Sequence, residues 1–204
     1  SFDGNGHKVS GLYINSTTAN TGMFGFVGAT GEIKNITIEN SVIISSKNYT
    51  GAFAGDSKGN ISNCHTTATT TVTGTDYVGG IVGELDANMN LGNCSNAAAV
   101  HGTGIHGYVG GIAGRVYSNS SNALINSYNT GVVTGTKNIG GVTGSLYNKG
   151  TIQNVYNKGT VTAISGDAGG ILGNFRDGRI QGAYNAGTIK ANHAGGVTGR
   201  LEAS

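Results

Sequence analysis

Ten carboxylates are spread over the chain, at Asp3, Glu32, Glu39, Asp56, Asp76, Glu84, Asp86, Asp167, Asp177 and Glu202. An enzyme acting on polysaccharide gathers such acids in one groove, where they hold a metal or flank a glycosidic bond. Here only Glu84 and Asp86 are near neighbours. Asp56 stands 28 residues before Glu84, and Arg115 stands 31 residues after it. These separations match the repeat described below. They favour a cross-turn Glu84–Arg115 ion pair over a catalytic dyad or a Ca²⁺ site. The five histidines, His7, His65, His101, His106 and His193, lack metal-ligand spacing. Cys64 and Cys94 form no metal motif and have no His at a defined relation to activate them. A disulfide is open to them, but two buried thiols are the preferred reading. Gly28-Ala29-Thr30-Gly31-Glu32 lacks the Gly-Lys-Ser/Thr ending of a phosphate loop and reads as a turn.

Tyrosine offers more. Tyr49, Tyr77 and Tyr108 recur at the same interval, as do Tyr128, Tyr156 and Tyr184. If each set faces outward, it forms a strip that could contact sugar rings or a protein, since Tyr joins apolar area to a polar tip. The alternative is cross-strand stacking that stabilises a sheet. These six tyrosines are the candidate ligand-binding residues. No catalytic residue, metal ligand or cofactor is assigned.

The interval comes from a repeated segment. Tyr77-Val78-Gly79-Gly80-Ile81-Val82-Gly83 returns as Tyr108-Val109-Gly110-Gly111-Ile112-Ala113-Gly114, with looser copies at 139–144, 168–173 and 194–199 and degenerate ones at 21–25 and 50–55. The first glycines fall at 22, 51, 79, 110, 140, 169 and 195, a period that marks a solenoid. A second motif follows in each repeat, as in Ile61-Ser62-Asn63-Cys64, Leu91-Gly92-Asn93-Cys94 and Ile152-Gln153-Asn154-Val155. A third apolar stretch follows it, as in Val72-Thr73 and Val161-Thr162. Apolar residues never hold helical spacing, and Gly is too frequent for helix interiors.

Three short strands per repeat predict an all-β fold, a parallel β-helix of roughly seven turns and roughly 30–35 Å at the strand spacing of a sheet. A propeller blade needs a longer repeat. In this reading residues 1–204 form a single solenoid domain. Ile81, Ile112, Val142, Ile171 and Val197 stack inside above Phe53. Val78, Val109, Ile139, Ala168 and Ala194 make a second inner column. The paired glycines permit positive φ or close backbone approach at a corner. Asn35, Asn63, Asn93, Asn126 and Asn154 form one ladder, and Asn96, Asn129, Asn157 and Asn185 another, each satisfying buried amides at a turn.

Composition narrows the function. The chain has 204 residues with 38 Gly and no Pro, and its net charge is only +2. No basic run exists to capture nucleic acid, and no apolar run reaches the roughly 18 residues of a membrane span. The chain opens in strand-like sequence without an initiator Met, which suggests a piece of a longer protein.

Gly80-Ile81-Val82-Gly83, Gly111-Ile112-Ala113-Gly114 and Gly170-Ile171-Leu172-Gly173 resemble the Gly-Leu-any-Gly core of the GLUG-motif repeat family, with Ile in place of Leu. The opening Phe2–Ile14 looks like the first coil of such arrays. The resemblance implies a non-catalytic stalk or binding segment of a bacterial surface or secreted protein. Such proteins include immunoglobulin A1-specific metallopeptidases and proteins classed as adhesins. The zinc motif His-Glu-x-x-His of such a peptidase is absent from this sequence. The expected partners are carbohydrate or a host surface protein, and neighbouring domains of the same chain. The competing expectation is a carbohydrate-active β-helix, a lyase or hydrolase. A third is self-association through an open sheet edge.

Overall fold

The computed structural model describes residues 1–86 and 89–202, and every regular element in it is a strand. The chain winds into a parallel β-solenoid of seven turns. The third turn shows the plan. Asn60–Thr66 lies on the first face, Thr71–Gly74 on the second, and Val78–Gly79 followed by Val82–Asp86 on the third. Each strand pairs in parallel with its equivalent one turn away. The register is that of the sequence repeat: Ile33, Ile61, Leu91, Leu124, Ile152 and Ile180 are successive partners on the first face. Val72, Val100, Val133, Val161 and Ile189 are partners on the second.

The third face is creased. Sequence predicts one strand there, and the structure has two short ones meeting at the glycine pair, so that they belong to separate sheets. Hydrogen bonds still cross the crease, from Gly80 N to Gly110 O (3.3 Å) and from Ile81 N to Ile112 O (3.0 Å).

The interior is apolar and continuous. Ile81, Ile112, Val142 and Ile171 are fully buried, as are Phe53, Val78, Val109, Ile139 and Ala168. Two predicted members of these columns differ. Val197 is 45% exposed and Ala194 is exposed, because no described rung lies over the last turn. A turn cannot cover its own apolar side, so its neighbours must.

The glycine pairs act by close approach. None of Gly79, Gly80, Gly110, Gly111, Gly140 or Gly141 has positive φ. A Cβ on Gly111 would overlap the side chain of Asn129 and the carbonyl oxygen of Gly141, and one on Gly110 would overlap Ala113 O. Positive φ falls elsewhere. Asn35, Asn63, Asn93, Asn126 and Asn154 adopt φ of 57, 51, 55, 49 and 53°, and Gly182 takes their place in the last turn at 56°. Asn is among the few L residues that occupy this region readily.

The two asparagine ladders therefore differ, contrary to the sequence expectation that both hold buried amides. The left-handed set is largely solvent-exposed, with only some side chains linked, as Asn63 Nδ2 to Asn35 Oδ1 (2.8 Å). The other set is buried. Asn96 Nδ2 donates to Asn129 Oδ1, Asn129 Nδ2 to Asn157 Oδ1 and Asn157 Nδ2 to Asn185 Oδ1, each at 2.8 Å. Within its own turn Asn129 Nδ2 also donates to Gly131 O (2.8 Å), and Gly131 N donates to Asn129 Oδ1 (3.1 Å). Both donors and both acceptor sites of the buried amide are thus used.

Removing Asn129 strands partners on both neighbouring rungs and in its own turn. Asn129→Ala is expected to lower stability by about 3 kcal/mol or more in urea denaturation. Asn126→Gly, at an exposed left-handed position, should change stability by less than about 1 kcal/mol. Equal losses in the two variants would mean that the buried ladder holds no special place.

Candidate functional site

The six predicted tyrosines gather into two stacks. Tyr49 and Tyr77 lie 4.9 Å apart at 13°, and Tyr77 and Tyr108 lie 5.3 Å apart at 16°. Tyr128 and Tyr156 lie 4.7 Å apart at 3°, and Tyr156 and Tyr184 lie 5.1 Å apart at 11°. The parallel rungs dictate this arrangement, since in-register residues sit one strand spacing apart. The geometry has a chemical consequence. Ring faces within each stack are turned on one another, so its flank presents ring edges and hydroxyls, and an open ring face occurs only at a stack end.

The first stack stands at the corner before the creased face. Tyr49 and Tyr77 have φ of 65 and 58°, a conformation that disfavours a bulky side chain by about 1–2 kcal/mol. Neighbouring groups hold these rings. The Arg115 guanidinium lies 4.5 Å from the Tyr77 ring centre and donates to both Glu84 oxygens at 2.6 and 2.7 Å. The Glu84–Arg115 pair predicted from the repeat is therefore formed. Asp56, Glu84 and Arg115 occupy one register position on successive rungs, followed by Ser145, Asn174 and Arg200. Asp86, next to this column, lies 3.5 Å from the Lys58 ammonium.

Burial raises the Glu84 carboxyl above its usual range, against the opposing pull of Arg115. Burial also raises Asp56, helped by Asp86 and opposed by Lys58. The phenols of Tyr49, Tyr77 and Tyr108 are raised chiefly by burial, and the Tyr147 hydroxyl adds to the effect at Tyr108.

Sequence reasoning missed the far side of this column. Tyr117 and Tyr147 stand two residues beyond Arg115 and Ser145, on the same outward side of the strand. Arg115 also contacts the Tyr117 ring at 5.6 Å. The Tyr108 and Tyr147 hydroxyls meet at 3.3 Å, and Arg176 donates to the Tyr147 hydroxyl at 3.2 Å. Tyrosines and guanidinium groups thus form a roof over a polar column. Beneath it Asp56 Oδ1, Arg115 Nε, Ser145 Oγ and Asn174 Oδ1 are buried without a partner. The alternation two residues past Arg115 was the available signal.

The second stack is more open. Tyr184 is 52% exposed, and the Lys158 ammonium lies 5.5 Å from the Tyr156 ring centre. The exposed Asn126 and Asn154 stand two residues before Tyr128 and Tyr156. Ser95 and His65 continue the tyrosine column on earlier rungs. The His65 ring nitrogens contact Ser95 Oγ at 2.8 Å and Asn63 Oδ1 at 3.0 Å. This is a cross-rung stitch. An amide in the third place offers no charge to stabilise an imidazolium, and burial lowers the His65 pKa.

Cys64 and Cys94 are both free and buried. The neighbouring Cys94 thiol, and then burial, push the Cys64 thiol well above its ordinary value, which suppresses the thiolate. Among the described residues no three His, Cys, Asp or Glu side chains converge as a metal set would.

Comparison with known proteins places this geometry in context. No protein-family model matches the chain. Over 88 residues, 43% of its length, it is 42% identical to halomucin of Haloquadratum walsbyi, and the match spans about 1% of that protein. The fold as a whole is similar to the crystal structure of a provisionally assigned immunoglobulin A1 protease from Bacteroides ovatus. The TM-score is 0.77 over all of this chain and 68% of that one, at 20% identity. At that identity the likeness concerns the fold.

The half-buried Asp56 sets a pH test. Its folded pKa is raised, so its contribution is greatest below the unfolded value, near 3.8, and is lost as pH rises through the folded value. Asp56→Asn is expected to be neutral or stabilising by under about 1 kcal/mol near pH 7, and to flatten the fall in stability above pH 4. A clear destabilisation at pH 7 in thermal unfolding would show that the charged form is favoured.

Proposed function

We propose that the chain is a non-catalytic rod segment of a secreted or cell-surface protein. It spaces neighbouring domains of a longer chain and offers its outward columns to glycan or protein. The supporting observation is the continuous parallel ladder, in which seven turns repeat the same faces, in register but for a bulge in the first strand between Asp3 and His7. Such an array is quasi-one-dimensional, and its length is set by the number of turns. The halomucin match to a small part of a far larger protein fits a module used within long chains. A protease named for immunoglobulin A1 would meet that antibody outside cells, so the shared fold supports an exported setting. The glycine motifs favour the GLUG type of repeat.

In this reading the second tyrosine stack is the adhesive strip. The hydroxyls of Tyr128, Tyr156 and Tyr184 recur beside the amides of Asn126 and Asn154, a pattern suited to sugar hydroxyls. Two of the three carboxylates that meet in the fold form ion pairs, Glu84 with Arg115 and Asp86 with Lys58, which favours structural roles for them over acid–base work.

Two measurements bear on this. Incubation with uronate-containing polysaccharides should release no unsaturated or reducing ends. Release abolished by Glu84→Gln would establish an enzyme instead. On a glycan array, any binding through the strip should fall about tenfold in Tyr156→Ala. Binding unchanged by that substitution would remove the strip from the account.

A further inference from the structure

The first tyrosine stack ends in a pocket. Tyr108 has one ring face on Tyr77, but the next position in its column is Asn138, whose Nδ2 turns aside to donate to His106 O at 3.2 Å. Tyr108 is thus the last ring of the stack, and it lines the space beyond that end. This space is a polar hollow of about 350 Å³ beside the last two turns, lined by Tyr108, Lys137, Asp167, Asn174, Arg176 and Arg200 among others. Its size suits one or two sugar rings better than a flat protein surface.

Three features specify its chemistry. The first is Asn174, only 5% exposed, whose Oδ1 has no partner among the described residues. Ser145 Oγ, one rung below, is also buried and unpartnered. Buried polar atoms in a folded protein are nearly always paired, so the Asn174 oxygen beside the hollow calls for a hydrogen-bond donor such as a hydroxyl. The second is charge. Lys137, Arg176 and Arg200 face Asp167 and Glu202, leaving one positive charge in excess with His193 neutral. The carboxylates are engaged: Glu202 binds Arg176 and Arg200, each at 2.8 Å, and Asp167 lies 2.9 Å from His193 Nδ1 and 3.8 Å from Arg200. Lys137 has no ion-pair partner among the described residues. The third is the Tyr108 face, an apolar plate against which the C–H face of a pyranose can lie.

We propose that this pocket binds a carboxylated pyranose, an acidic sugar of the uronate class. Its ring lies on Tyr108, its hydroxyls meet the Asn174 amide and Asp167, and its carboxylate meets Lys137 and the adjoining guanidinium groups. An aromatic face, an amide and an unspent cation around one small cavity match the three surfaces of such a sugar. Neutral sugars would leave Lys137 unused, and an inorganic anion would leave the ring face unused. The site does not depend on the chain being a stalk, and it lies apart from the Tyr128 strip.

The test is titration of the intact chain with methyl β-glucuronide, methyl β-glucoside and inorganic phosphate, followed by chemical-shift change or calorimetry. The glucuronide is expected to bind about tenfold more tightly than the glucoside, the size of one charge-assisted hydrogen bond. Lys137→Met, at an exposed position that the fold does not need, should remove that advantage. Asn174→Ala should weaken both sugars. The assignment is overturned by absence of saturable glucuronide binding, by equal affinity for the glucoside, by phosphate competing as strongly as the glucuronide, or by Lys137→Met leaving the preference intact. Should Asn174→Ala not fold, Lys137→Met alone decides the matter.

Discussion

The rod depends on the buried asparagine ladder. An amide in a dry interior is unfavourable unless all its polar atoms are paired. Asn96, Asn129 and Asn157 meet this condition by sharing hydrogen bonds between rungs and closing a tight turn within each. No single turn could do so, because half of the partners of Asn129 belong to the turns on either side. The ladder couples the corner of one turn to the corner of the next. It also explains a glycine. In every pair but the last, the second glycine packs directly on an asparagine of this ladder, Gly80 on Asn96, Gly111 on Asn129, Gly141 on Asn157 and Gly170 on Asn185, at a distance that excludes a Cβ. The sequence pattern on one face is thus imposed by an amide that arrives from another.

With the core settled in this way, the outward columns are free to vary. On the creased face the column runs from the acids Asp56 and Glu84 through the base Arg115 to the neutral Ser145 and Asn174, while the inner columns beside it keep mostly apolar residues. This separation is natural to a solenoid, where each surface position is answerable only to the rungs above and below it. It allows acidic, basic and neutral groups to be set at one strand spacing along a line.

Much of this architecture was legible in the sequence. A fixed period, branched apolar residues and a lack of helical spacing were enough for the winding and the register. They were also enough for the Glu84–Arg115 pair, since register alone brings those two together. What remained hidden was direction. Asn93 and Asn96 are three residues apart and recur with the same period, yet one turns outward with positive φ and the other inward. Periodicity is blind to that difference. A local signal did exist: Asn129-x-Gly131, Asn157-x-Gly159 and Asn185-x-Gly187 share the small residue that the turn around a buried amide requires. The roof over the polar column was only partly legible, since alternation puts Tyr117 and Tyr147 on the side of Arg115 and Ser145 but does not show what they meet. It joins Tyr108 to Tyr147, 39 residues apart, through side chains that reach across the strand.

The strained tyrosines bear on what the roof is for. Tyr49 and Tyr77 share their column with Asn20 and Asn138, which adopt the same left-handed backbone with φ of 60 and 50°. Asparagine fits that conformation at less cost, so the corner itself does not call for an aromatic ring. Stacking returns about 0.5–1.5 kcal/mol per pair and the Arg115 contact about 0.5–2 kcal/mol, close to what the backbone conformation takes away. These contacts, with burial of the rings, offset what the backbone conformation costs. The distinctive effect of tyrosine here is lateral: it screens Glu84 and Arg115 from water and strengthens their attraction. The stack ends at Tyr108, while the buried column runs on through Ser145 to Asn174, whose Oδ1 has no partner among the described residues. That termination, more than the stack itself, is where the rod departs from simple repetition.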